Sequence, residues 1–199
     1  NDIKKNLDSS SFINFSKSYL NLNRDLLKNI DLKTLESIVN LIEDCAKNNS
    51  TIYVDGNGGS ASDSQHFAAE LMVRYKKERD PFPAIALNTD SSIITASSND
   101  YDFSIVFSRQ IEALGNEGDL LIAISTSGNS TNVVKAIETA NLKKMYTVLL
   151  TGLKEGKCSN LNINKIIHVQ SVVTARIQET HILILHYICS FIERELIVV

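Results

Sequence analysis

The run Gly56-Asn57-Gly58-Gly59-Ser60-Ala61-Ser62-Asp63-Ser64-Gln65-His66-Phe67-Ala68-Ala69-Glu70 follows the apolar segment Thr51-Ile52-Tyr53-Val54. A β-rich segment that stops at a loop of small residues and then opens into a helical pattern begins a βαβ unit. Glycines let the backbone turn sharply and let a ligand approach it closely. The free N–H groups at the start of the next helix favour an anion. His66 and Glu70 stand four apart and share a helix face, which offers proton-transfer or metal chemistry; a surface ion pair is the plainer reading.

Outward from this stretch the alternation repeats. β-rich runs at 51–54, 84–87, 120–124, 146–150 and 165–169 are separated or followed by helical patterns at 60–76, 91–98, 103–114, 130–143 and 174–196. Strands alternating with helices predict an α/β three-layer sandwich: a five-stranded parallel sheet flanked by helices. Crossovers are expected to be right-handed, with ligands at the carboxyl ends of the strands. The last helix is apolar nearly all round (Ile177, Ile182, Ile184, Leu185, Ile188, Phe191, Ile192 and Leu196), so it should be buried on more than one side. That puts His181 and His186 in a largely dry setting.

Before the first strand, Phe12, Phe15, Tyr19, Leu22 and Leu26 alternate three and four apart, a heptad-like seam. Leu32, Leu35, Ile38, Val39 and Ile42 line a second helix, with Asp31 as its N-cap. Residues 10–48 therefore read as an N-terminal helical hairpin. It packs either on its own domain or, as the narrow seam suggests, against another subunit. No internal repeat or long Gly/Ser linker divides the chain, so residues 1–199 read as one domain.

At 43% hydrophobic and 22% charged, the 199 residues suffice for one globular domain with a real core. The net charge of -3 provides no basic field, which argues against nucleic acid as a partner. No apolar run of about 18 residues is present, so no membrane span is expected. The opening Asn1-Asp2-Ile3-Lys4-Lys5 lacks the apolar stretch of a signal peptide, although the chain starts with Asn and not Met. Three cysteines (Cys45, Cys158 and Cys189) are odd in number and have no C-x-x-C spacing, which fits a reducing cytoplasm.

A second small-residue loop, Ser125-Thr126-Ser127-Gly128-Asn129-Ser130, follows Leu120-Leu121-Ile122-Ala123-Ile124 and precedes a helix. N-capping needs one hydroxyl; three serines and a threonine within six residues exceed that need and suit a phosphate monoester. No lysine lies in the loop, so it is not a Walker A motif. In the first loop Gly56, Gly58 and Ala61 match G-x-G-x-x-A, but the acid expected about 20 residues on is missing, which weakens a dinucleotide reading. Gln178, Glu179, His181 and His186 cluster on the last helix. Helical angle leaves both Glu179 and Gln178 open as partners of His186. A core histidine bonded to a backbone carbonyl is the plainer reading of His186. Asn99-Asp100 follows the second strand, as a turn or as a sugar-hydroxyl contact.

Together these pieces resemble the sugar isomerase (SIS) superfamily, and within it the bacterial phosphoheptose isomerases. The matching segments are 55–60, 66–71, 89–93, Asn99-Asp100-Tyr101, Val106-Phe107-Ser108-Arg109-Gln110, 124–130 and Arg176-Ile177-Gln178-Glu179. The resemblance covers almost the whole chain. It implies an SIS fold and conversion of sedoheptulose 7-phosphate to D-glycero-D-manno-heptose 7-phosphate through an enediol, the first step of nucleotide-activated heptose synthesis for cell-surface glycans. It further implies Glu70 and His186 as the acid/base pair. Asn57, Gly58, Gly59, Asn99, Asp100 and Gln178 would contact substrate, and Ser60, Ser125, Thr126, Ser127 and Ser130 would hold its phosphate. Zinc would sit on His66, Glu70, Gln178 and His186, in a homotetramer with sites shared between subunits. One departure stands out: Ala175 occupies a position where many members carry aspartate. The rival expectation is a non-catalytic SIS protein that binds a phosphosugar or the bacterial replication initiator.

Overall fold

Strand β1 (Ile52–Gly56) is buried at all five positions, because it lies in the middle of a sheet covered on both faces. The computed structural model describes residues 7–195. Its five strands, β1, β2 (Ala84–Ala86), β3 (Leu120–Ser125), β4 (Tyr146–Thr151) and β5 (Lys165–His168), form one parallel sheet in the order β2-β1-β3-β4-β5. The helices are α1 (Phe12–Leu27), α2 (Leu32–Lys47), α3 (Gly59–Met72), α4 (Ser91–Asp100), α5 (Ser108–Leu114), α6 (Thr131–Leu142) and α7 (Thr174–Glu195). No helix among the described residues is long and apolar enough to cross a membrane.

The strand pleat divides the core in two. Ile52 and Val54 point to one side and pack with Ile38 and Ile42 of α2, Phe67 and Leu71 of α3, and Ile184, Leu185 and Ile188 of α7. Tyr53 points to the other side, with Ile111 of α5 and Val133, Ala136 and Ile137 of α6. Each fully buried Ile or Leu contributes about 1.5–3 kcal/mol. The expected layers are thus present. Cys45, Cys158 and Cys189 are buried free thiols.

The predicted boundaries shift for local reasons. Asp31 caps α2, accepting from the amides of Lys33 and Thr34 at 3.0 and 3.1 Å. α3 ends at Met72 and not at 76, because the buried carboxylate of Glu193 takes the amides of Tyr75, Lys76 and Lys77. The stretch 103–114 splits into a 3₁₀ turn, Phe103–Ile105, and α5. Leu196 and the opening residues 1–5 lie outside the described residues. The α1 seam is open at its start in the single chain and closes along its length: Phe12 is 84% exposed, Tyr19 and Leu22 are half-buried, and Leu26 is buried. α1 instead ties to α7 through a polar cluster. Tyr19 and Asn23 donate to Glu179, Arg176 donates to both Asn23 and Glu179, and the guanidinium lies 3.5 Å from the Tyr19 ring.

Asp55 breaks the apolar pattern of β1. It lies two residues after Tyr53 and is fully buried, and neither carboxylate oxygen has a hydrogen-bond partner. Burial pushes its pKa well above the ordinary 3.8 and outweighs the lowering by the backbone of Ile124. With its folded pKa raised, the folded chain holds a proton that the unfolded chain releases above pH 3.8, so stability falls as pH rises through that window. Asp55→Asn is therefore expected to gain stability over the parent as pH increases from mildly acidic to mildly alkaline, measured by denaturant midpoints. A gap that stays constant with pH would show that Asp55 ionises in the fold without cost.

Candidate active site

From β1 the chain steps to β2 on one side; β3, β4 and β5 extend on the other. The crevice at this switch point opens between the carboxyl ends of β1 and β3, where ligands of such sheets bind. Both small-residue loops end there. In the first, Gly58 turns the chain with φ +57, a value that suits glycine. It begins α3 without a side-chain cap. In the second, Ser130 starts α6, also without a side-chain cap hydrogen bond. The hydroxyls therefore do not serve as simple N-caps. Ser125 and Ser130 pair with each other at 3.2 Å, and Ser127 Oγ accepts from the Asn129 amide at 3.2 Å.

The two loops are tied together by side-chain amides. Asn57 Nδ2 donates to Asn132 Oδ1, and Asn132 Nδ2 donates to Asn57 Oδ1, both at 2.9 Å. Asn57 is thereby a brace between the loops. Ser60 is buried at the first turn of α3. Beside the second loop lies a cleft of about 320 Å³ whose lining includes Thr126, Ser127, Asn129, Lys154, Ser171 and Thr174. Lys154, from the segment after β4, is a cation that loop spacing gave no means to find.

His66 and Glu70 on α3 meet His186 on α7. Glu70 Oε1 stands 3.1 Å from His66 Nε2, and His66 Nε2 stands 3.2 Å from His186 Nε2. One donor atom from each lies within 4.8 Å of the others, a group able to hold a metal ion. The imidazoles meet edge to face, with centroids 4.8 Å apart. A core histidine bonded to a carbonyl does exist, but it is His181. Burial lowers its pKa to about 4, and it faces the Thr151 carbonyl at 3.4 Å. His186 is only half-buried.

Within one chain neither Gln178 nor Glu179 joins His186. Glu179 is held by Tyr19, Asn23 and Arg176. Gln178 turns to the first loop: a Cβ on Gly59 would stand 2.5 Å from its Nε2. Gly59 precedes His66 by seven residues, about 10 Å along α3. Within one chain Gln178 is therefore at the loop and not in the His/Glu/His group. Asn99 and Asp100 lie exposed at the end of α4, where Asn99 Nδ2 donates to Asp100 Oδ1 at 2.9 Å. Asp63, one turn before His66, was missed, although i, i+3 spacing from a histidine was a usable signal. Burial raises its pKa to about 6, against the opposing charge of His66. Tyr75, whose ring stacks on His186, carried no such signal.

The family model described as SIS domain matches residues 18–152. A phosphoheptose isomerase of Shewanella loihica is 50% identical over 166 residues, covering 82% of this chain and 84% of that protein. The solved phosphoheptose isomerase of Francisella tularensis superposes with a TM-score of 0.86 at 35% identity, over 92% of this chain and 99% of the other. That of Neisseria gonorrhoeae gives 0.80 at 39% identity, over 92% and 96%. The chain belongs to the SIS domain family, among the phosphoheptose isomerases.

Proposed function

We propose that this chain interconverts the ketose sedoheptulose 7-phosphate and the aldose D-glycero-D-manno-heptose 7-phosphate. The observation that carries the chemistry is the meeting of Glu70 and His186, from separate helices, on either side of His66. Glu70 takes a proton from the carbon beside the carbonyl. The electrons move to the carbonyl oxygen, where an N–H of His186 supplies a proton and an enediol forms. Return of a proton to the former carbonyl carbon, with loss of one from the neighbouring hydroxyl, completes an exchange with no net change in protons. Ser60, Ser125, Thr126, Ser127 and Ser130 hold the phosphate against two uncapped helix starts, with Asn57, Gly58, Gly59, Asn99, Asp100 and Gln178 toward the sugar. Phosphate binding far from the reacting carbons fixes orientation and so lowers the barrier.

The donor set fits zinc. Two nitrogens each about 2.05 Å from a tetrahedral zinc stand about 3.3 Å apart. The 3.2 Å between the two histidine nitrogens is close to that spacing. His66, Glu70 and His186 would hold the ion, and Gln178 would serve the substrate at Gly59. When bound, zinc supplies polarisation of a substrate oxygen.

We also propose a homotetramer that uses residues 10–48 at its interfaces. The open start of the α1 seam supports this, as does the distance between phosphate loop and acid/base group within one chain, about 16 Å along α3 from Gly59 to Glu70. Sites shared between protomers would close that distance. A non-catalytic phosphosugar or initiator binder is not favoured, because the relatives at about half identity are isomerases and this chain keeps both Glu70 and His186.

Incubation with sedoheptulose 7-phosphate, followed by NMR of the product, should reveal the aldose, and Glu70→Gln should lower turnover by at least about a hundredfold. Near-normal turnover in that variant removes Glu70 as the base. Ser127→Ala should chiefly weaken phosphosugar affinity in calorimetry; unchanged affinity would move the phosphate elsewhere. Elemental analysis should find zinc in the purified chain, with activity lost on chelation and restored by zinc. Full activity after chelation, with no metal detected, would leave the imidazoles to act alone.

A further inference from the structure

We infer that Tyr75 and Glu193 form a positioning device that holds the His186 imidazole at the angle its proton transfer needs, an inference that rests on the isomerase reading. Two groups bound the His186 ring. The His66 ring meets it edge to face with centroids 4.8 Å apart, and the Tyr75 ring stacks on it with centroids 5.8 Å apart and planes at 30°. Tyr75 lies in the segment between α3 and β2, outside any helix or strand. Something beyond regular secondary structure must hold it there.

That holder is Glu193. Its side chain is 4% exposed, and it accepts from three successive amides: Tyr75 at 2.7 Å, Lys76 at 2.8 Å and Lys77 at 2.9 Å. A buried carboxylate is tolerated when charge-assisted hydrogen bonds of this kind surround it. Arg79 Nε stands 3.7 Å from the same carboxylate. The Arg79 guanidinium also donates to the backbone carbonyls of Glu70 at 2.6 Å and Leu71 at 2.8 Å, and lies over the Phe82 ring. Glu193 follows His186 by seven residues, two turns along one face of α7. A single helix face therefore carries both the imidazole and the anchor of the ring that packs on it. The same clamp reaches back to the backbone of Glu70. Glu193 and Tyr75 act through His186, as positioning residues.

The test compares the full chain with Tyr75→Ala, Tyr75→Phe and Glu193→Gln, assayed well below their denaturation midpoints. Tyr75→Ala should lower kcat about tenfold or more, as expected when a reacting group is misplaced, while KM stays within about twofold. Tyr75→Phe keeps the ring and should restore kcat; Glu193→Gln should resemble Tyr75→Ala. In carbon-13 histidine spectra of the metal-free chain, the His186 ring signals, assigned by their loss in His186→Gln, should carry the ring-current shift of Tyr75. That shift should vanish in Tyr75→Ala and persist in Tyr75→Phe. Wild-type kcat in Tyr75→Ala, or His186 signals that do not move, would overturn the inference. A parent chain with no isomerase activity would instead sink the isomerase reading, and the histidine signals would still decide whether Tyr75 sets the ring.

Discussion

Helices α3 and α7 run side by side in the same direction, with their contacts in matching order. Gly59 meets Gln178 at the start, His66 meets His186 in the middle, and the segment leaving α3 meets Glu193 near the end. Both helices are anchored on one face of the sheet by Phe67, Leu71, Ile184, Leu185 and Ile188. Rigid rods seated on a close-packed core hold a few ångströms of separation better than loops do. The first loop, the two imidazoles and the Glu193 contact are thus set by one pairing.

The sheet was readable because parallel strands buried on both faces are continuous apolar runs bounded by small residues. His66 and Glu70 were readable from their spacing. Three features were not. Gln178 and Glu179 are adjacent on α7, and partners far off in the chain, Tyr19 and Asn23 of α1, help hold Glu179 away from the first loop. Tyr75 reaches His186 through amides held by a residue far along the chain, a contact with no local signature. Asp55 sits in a strand of otherwise core-facing residues, where sequence alone does not say which way an acid turns.

The Arg176 and Glu179 cluster has its own effect on the site. It fastens α1 to the first turns of α7, directly beside Gln178. The N-terminal helix thus braces the start of α7 as well as presenting the exposed Phe12 end of its seam. Ala175 lies exposed in the same turn and adds no charge to this edge.

The glycines of the first loop are held by different kinds of constraint. A Cβ on Gly56 would meet the Ser60 backbone carbonyl oxygen at 2.7 Å, so a substitution there distorts main chain. A Cβ on Gly59 would meet only the tip of a flexible side chain, the Gln178 amide, which can swing aside. Selection therefore sees these two positions through different traits: drift at residue 56 lowers the amount of folded protein, while drift at residue 59 leaves the main chain intact and is felt in where the Gln178 amide points.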